Sequence, residues 1–156
     1  METIEFIIGV LSEACFIEDI NVARKVLHKS LLYHIKEVLL RNNFDVHLEE
    51  PLEFDYFKMS DGSVTLRQGY IDLVAKKEKI MVGVEFDSGS SLKHKSIEKL
   101  IQSPCDTCIG IVKGNAFTAS IEYNIQQIKH KLLNVEPKKK TFWLIDLSQK
   151  FIGRMD

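Results

Sequence analysis

Two carboxylates alternate with apolar residues in the segment Met81–Asp87, which reads MVGVEFD. Successive side chains of a β-strand point to opposite faces of the sheet, so Glu85 and Asp87 are predicted to lie side by side on one face. Asp72 is a third acid, in the otherwise apolar segment 71–75. If the two segments form a hairpin, Asp72 comes close to Glu85.

Metal binding is the chemistry that such a cluster permits. Burying unpaired carboxylates is costly, and without a metal Asp72, Glu85 and Asp87 would repel one another, so at least one should have a raised pKa. A divalent cation removes that cost, and an all-oxygen ligand set suits Mg²⁺ or Mn²⁺. The alternative is that these acids lie on a hydrated sheet face or cap a loop, most simply for Asp87, which precedes Ser88-Gly89.

The elements that would position these acids follow from hydrophobic spacing and turn residues. The start of the chain is predicted to be a helix. Later breaks between elements are predicted at Asn42-Asn43, Asp61-Gly62 and Ser88–Ser91. A serine of the last segment would also be a good N-cap for the helix that follows. The further predicted helices are Val22–Arg41, Leu92–Gln102 and Thr118–Leu133, and the predicted strands are Val46–Lys58, Val64–Ala75, Ile80–Phe86, Cys108–Val112 and Phe142–Leu147.

This order predicts an α/β fold. A three-strand meander followed by a β-α-β crossover implies a mixed central sheet flanked by helices on both faces. The length of 156 residues and the absence of repeats or linkers indicate a single domain, residues 1–156.

Across residues 22–112, a helix, a three-strand meander, a helix and a strand follow one another, with Asp72 on the second meander strand and Glu85-Phe86-Asp87 on the third. This arrangement resembles the PD-(D/E)XK nuclease superfamily, whose fold is restriction-endonuclease-like. The resemblance implies that Asp72 and Glu85 hold the catalytic metal. It also implies a carboxylate from the first core helix, for which Glu37 is the best candidate.

The sequence departs from the family pattern at Asp87, where the motif has a Lys that positions and activates the attacking water. Some relatives supply this Lys from the following helix, and here Lys93, Lys95 and Lys99 are candidates. Lys95 and Lys99 would lie opposite the apolar stripe of that helix, while Lys93 lies in its first turn. Lys95 is the preferred substitute, although a solvated lysine face explains each of the three equally well.

The resemblance implies a metal-dependent nuclease that acts on DNA, in a branched or single-stranded form, with Mg²⁺ or Mn²⁺ as cofactor. A homodimer is a further expectation from the resemblance. The missing motif Lys keeps a second hypothesis open, a nuclease-like fold that has lost catalysis and serves as a nucleic-acid-binding or assembly subunit.

Charge is unevenly distributed along the chain. Residues 1–60 contain 6 Lys and Arg against 11 Asp and Glu, whereas residues 61–156 contain 15 against 11. The basic part could face a polyanion while the acidic part faces away, and the run Lys138–Lys140 could contact a phosphate backbone. Scattered, solvated lysines are the competing explanation for both features.

The cysteines and the apolar segments argue against a disulfide-stabilised protein and a membrane protein. The three cysteines and the lack of an export signal argue against a disulfide framework, and Cys105-Asp-Thr-Cys108 has no partner motif for a zinc site, so buried structural cysteines are expected. Glu2 and Glu5 occupy positions where a signal peptide would carry Lys or Arg, and no apolar run is long enough to span a membrane. A cytoplasmic protein is the expectation.

Overall fold

The computed structural model describes residues 3–57, 61–133, 135 and 140–155. Helices α1 to α4 and strands β1 to β6 account for most of this part of the chain. The helices are α1 (Ile4–Phe16), α2 (Arg24–Arg41), α3 (His94–Gln102) and α4 (Thr118–Leu132), and the strands are β1 (Asp45–Phe57), β2 (Val64–Lys77), β3 (Ile80–Asp87), β4 (Thr107–Val112), β5 (Thr141–Asp146) and β6 (Phe151–Met155).

The six strands form one mixed sheet in the order β1-β2-β3-β4-β5-β6. The meander β1-β2-β3 is antiparallel, β3-β4-β5 are parallel, and β6 returns antiparallel to β5. The crossovers that parallel strands require are supplied by α3 and α4. The predicted α/β fold with a mixed central sheet is confirmed.

Helices cover both faces of the sheet. Val82, Val84 and Phe86 of β3 join the core under α1 and α2. The opposite face packs against α3 and α4, and there a Cβ at Gly83 would lie 2.9 Å from the sulfur of Cys105. The alternation predicted for β3 is therefore correct, and it directs Glu85 away from the α1–α2 core.

The β1–β2 ribbon extends well beyond β3 and turns as it does so. Its pairing is interrupted at Glu49, whose φ of 53° kinks the edge strand opposite Asp72. On one side of this kink Leu73 packs in the α1–α2 core, and on the other side Ile71 packs in the α3–α4 core. The projecting ribbon thus lies along α3, where it buries Phe54.

Two local predictions are wrong. Strand β6 is missing from the predicted elements, because it is a five-residue edge strand containing Gly153. The predicted serine cap of α3 is also absent, because the N-cap of this helix is Lys93, although the helix itself lies where it was predicted, from about Leu92 to Gln102. By contrast, Asn43 ends α2 with a left-handed φ of 65°, as its residue type predicts.

No helix in the described part of the chain is long and apolar enough to cross a membrane. Within the basic run, Lys138 and Lys139 lie outside the described residues. Lys140 Nζ donates to the carbonyl oxygens of Ser103 and Cys105, at 2.6 and 2.5 Å. The ammonium group of Lys140 is therefore held by the main chain that follows α3.

Candidate functional site

A pocket of about 470 Å³ opens where β2 and β3 separate, between the N-terminal ends of α2 and α3. Three carboxylates and five Lys or Arg side chains line it. The cations come from both parts of the chain, so the expected division into a basic face and an acidic face does not hold at this pocket. The lining residues are Arg24, Lys25, His28, Asp72, Glu85, Phe86, Asp87, Ser88, Lys93, Lys95, Ser96 and Lys99.

Asp72 and Glu85 lie side by side at the floor of this pocket. The last paired residues of the β2–β3 ladder are Leu73 and Val84, and Asp72 and Glu85 are the next position along. The main-chain N–H of Asp72 donates to Glu85 Oε2 at 3.0 Å, and that of Phe86 donates to Asp72 Oδ2 at 2.8 Å. The predicted antiparallel pairing and the closeness of the two acids are confirmed.

Each of these carboxylates has a basic side chain beside it. Lys99 Nζ forms an ion pair with Glu85 Oε1 and also donates to the carbonyl oxygen of Tyr70 at 2.8 Å. His28 Nε2 lies 3.5 Å from Asp72 Oδ2. Glu85 is only 2% exposed, so its charge depends on these neighbours rather than on water.

The pKa values follow from this burial and pairing. Burial raises the pKa of Glu85 to about 8, and the nearby Asp72 charge adds to this, while Lys99 opposes it. Burial would also raise the pKa of Asp72, but hydrogen bonds from His28, Glu85 and the Phe86 N–H outweigh it and lower that pKa. The pKa of His28 is raised by its hydrogen bond to Asp72. The predicted raised pKa within the acidic cluster is confirmed for Glu85.

Asp87 has a different partner. Its Oδ2 accepts a hydrogen bond from the main-chain N–H of Lys93 at 2.9 Å, so it caps the start of α3. Among the residues that the structure describes, no three His, Cys, Asp or Glu side chains come together as a metal-binding group. Mg²⁺ is commonly held by one or two carboxylates with water in its other positions, so an ion of this kind does not require a third carboxylate.

Lys99 is the lysine of α3 that reaches the carboxylates. Lys93 and Lys95 are exposed at the rim of the pocket, whereas the Lys99 side chain is 14% exposed. The prediction that Lys99 shares a solvent-facing side with Lys95 is wrong, because the β1–β2 ribbon covers α3 there. A Cβ at Gly69 of the ribbon would lie 3.8 Å from Lys99 Cδ.

Glu37 lies elsewhere, in a groove between α1 and α2 beside Ile17 and Tyr33. It follows His28 by nine residues, which places it about half a turn around the helix and roughly 13 Å further along it. The side of α2 that faces the pocket carries Arg24, Lys25 and His28 instead. The structure therefore does not bring Glu37 to Asp72 and Glu85. It brings His28 to them instead, a residue that no motif or spacing in the sequence singles out.

The cysteines are buried side chains of the core, as predicted. Cys15, Cys105 and Cys108 are all free and fully buried. Burial raises the pKa of the Cys105 thiol, and burial raises the pKa of the Cys108 thiol to about 12. Such thiols are poor nucleophiles and poor metal ligands, so the C-x-x-C sequence is structural.

No protein-family model matches this sequence, and a comparison with curated proteins finds no match.

Proposed function

We propose that this protein is a metal-dependent nuclease that hydrolyses phosphodiester bonds of DNA. The observation that carries the proposal is the trio of Asp72, Glu85 and Lys99 in one pocket, with the two carboxylates side by side on adjacent strands and the ammonium group on Glu85. A buried carboxylate, a partly buried carboxylate and a lysine are groups suited to metal-assisted phosphoryl chemistry.

In this proposal Asp72 and Glu85 hold Mg²⁺ or Mn²⁺. When bound, the ion polarises a phosphoryl oxygen and lowers the pKa of a water molecule. Lys99 takes the role of the lysine that is missing at position 87, and its ammonium group stabilises negative charge that develops on the phosphate. Its hydrogen bond to the Tyr70 carbonyl holds Nζ at the floor of the pocket rather than in solvent.

His28 and Asp87 position other groups. His28, whose Nε2 lies 3.5 Å from Asp72 Oδ2, orients that carboxylate. Asp87 holds the start of α3 through the Lys93 N–H, and this keeps Lys99, about one and a half turns further along the helix, over Glu85. The order β1, β2, β3, α3, β4 supports a restriction-endonuclease-like core as part of the same proposal.

Cleavage assays test the proposal directly. Plasmid DNA and labelled single-stranded and branched oligonucleotides are incubated with Mg²⁺ or Mn²⁺ and with the wild type, Asp72→Asn or Glu85→Gln. Wild type should cleave, and both variants should lose almost all activity. Glu122→Gln, which removes an exposed acid on α4, is the matched control and should cleave normally. Absence of cleavage by wild type on every substrate with both ions would refute the nuclease.

A second candidate is a catalytically inactive nucleic-acid-binding or assembly subunit. The observation that favours it is that Lys99 already contacts Glu85 and His28 already lies beside Asp72, so a metal ion would have to displace both side chains. Such a protein would bind DNA without metal and would gain no thermal stability from Mg²⁺ or Mn²⁺. Sedimentation equilibrium on the same samples would test the homodimer that the family resemblance implies.

A further inference from the structure

Four cationic side chains at the rim of the pocket have no ion-pair partner among the described residues. Arg24 and Lys25 are the first two residues of α2, while Lys93 and Lys95 lie at the start of α3. All four are exposed, and all four line the pocket that contains Asp72 and Glu85. Lys99 differs from them because it is paired with Glu85.

The two pairs of cations lie on opposite sides of the carboxylates. Helix α2 packs on the face of the sheet to which Val84 and Phe86 point, and α3 packs on the other face. Asp72 and Glu85 lie between them, where their hydrogen bonds join β2 to β3. A line from the start of α2 to the start of α3 therefore crosses the sheet at the carboxylates.

These cations do not stabilise their own helices. The first turn of a helix favours acidic residues, and a cation there costs roughly 0.3–1 kcal/mol. Neither α2 nor α3 has an acid in its first turn, and the N-cap residues Ala23 and Lys93 make no side-chain capping hydrogen bond. At α3 the Asp87 carboxylate already accepts from the Lys93 N–H, so an anion there would bind the Lys93 and Lys95 side chains. At α2 an anion would meet both the helix N-terminus and the side chains of Arg24 and Lys25.

We propose that one DNA strand crosses the pocket from α2 to α3, perpendicular to the sheet. Arg24 and Lys25 bind a phosphate on one side of the phosphate held at Asp72 and Glu85, and Lys93 and Lys95 bind a phosphate on the other side. The inference rests on the proposed nucleic-acid substrate. The inference adds the path of the DNA strand, and it requires that the substrate has a phosphate on each side of the phosphate that reacts.

Binding without metal tests this path separately from cleavage. The affinity of a fluorescein-labelled oligothymidine for the protein is measured by anisotropy in EDTA, over a range of salt concentrations. The variants are R24Q/K25Q, K93Q/K95Q, the combination of all four, and K76Q/K79Q, which removes two exposed lysines from the end of the β2–β3 hairpin outside the pocket.

The variants R24Q/K25Q and K93Q/K95Q, called the rim variants, should each show a weaker salt dependence of binding than wild type. The slope of log Kd against log[salt] should fall by about 0.7 for each phosphate that the variant no longer neutralises. The two pairs should act additively, because they bind different phosphates. K76Q/K79Q should leave the slope unchanged. On oligothymidines of increasing length, the affinity of either pair variant should stop rising at a shorter length than that of wild type.

Two results would overturn the proposed path. In one, K76Q/K79Q lowers the slope as much as the rim variants, which would mean general attraction to a basic surface. In the other, only one rim pair affects binding. If the binding results hold but wild type never cleaves, the path stands and the nuclease proposal fails, whereas cleavage with unaltered slopes refutes the path alone.

Discussion

The carboxylates of Asp72 and Glu85 continue the β2–β3 ladder beyond its last main-chain pair. Glu85 accepts from the main-chain N–H of Asp72, and Asp72 accepts from that of Phe86, at 3.0 and 2.8 Å. Side-chain oxygens thus replace main-chain carbonyls at the point where the strands separate. The sheet itself therefore fixes the distance between the two acids, which a metal site requires.

Metal binding should stabilise the protein through this pair. With Mn²⁺ or Mg²⁺ at about 100 times its Kd, the melting temperature should rise by roughly 5–10 °C, since only the folded state holds both carboxylates together. Asp72→Asn and Glu85→Gln should each abolish the shift, while Glu122→Gln should retain it. Differential scanning fluorimetry measures all four proteins, and an equal shift in Glu85→Gln would contradict the site.

Lys99 and Lys95 should have separable roles. Lys99→Met should reduce turnover at saturating DNA by roughly a hundredfold, the scale for losing one preorganised charge-stabilising group. Lys95→Met should weaken DNA binding and leave saturating turnover nearly unchanged. Single-turnover kinetics at increasing enzyme concentration separate the two effects, and equal reductions of turnover would show that Lys99 has no special role.

Removing Lys99 should also tighten metal binding. Its ammonium group occupies Glu85 Oε1, so a divalent cation must compete with it. Isothermal titration calorimetry with Mn²⁺ should therefore give a lower Kd for Lys99→Met than for wild type. Lys95→Met, whose lysine lies at the exposed rim, is the control and should bind Mn²⁺ like wild type. A weaker affinity in Lys99→Met would contradict the competition.

The stability of the metal-free protein should fall as pH rises from about 4.5 to about 8. Above its ordinary value of 4.5 Glu85 is ionised in the unfolded chain, but in the fold it keeps its proton until about 8. The native state therefore binds more protons in this window, and raising the pH favours unfolding, by on the order of a few kcal/mol. His28, whose pKa is raised, contributes in the same direction once the pH passes its ordinary value of 6.5.

Urea unfolding in EDTA across this pH range measures the effect. Glu85→Gln removes the titrating group, so its stability should decline much less steeply than that of wild type. Glu122→Gln should follow the wild-type curve, because that acid is exposed. Parallel curves for wild type and Glu85→Gln would mean that Glu85 is already ionised in the fold.

Gly114 should be far less tolerant of alanine than Gly62. Both have positive φ, 74° and 71°, so alanine costs roughly 1–2 kcal/mol at either position. At Gly114 the new Cβ would also clash with the carboxylate of the buried Asp146, while at Gly62 no described atom lies within 4 Å. Gly114→Ala should be destabilised by at least roughly 2 kcal/mol more than Gly62→Ala in chemical denaturation. Equal destabilisation would show that the Asp146 carboxylate moves aside freely.

The sequence by itself determined the fold class, the order of the elements from α1 to β5 and the placement of two acids. Apolar alternation in β3 requires Glu85 to face away from the α1–α2 core, and the hairpin turn sets its register against Asp72. These are consequences of local periodicity and turn chemistry, which depend on neighbours in the chain.

Only the tertiary structure decided which cations meet those acids. The β1–β2 ribbon covers α3, so Lys99 is removed from solvent and contacts Glu85. The face of α2 that packs on the sheet places His28 at the site and Glu37 away from it. These interactions join residues 14 to 44 positions apart in the chain. They depend on how a kinked ribbon and a helix lie against the sheet, a property that no local pattern of residues records.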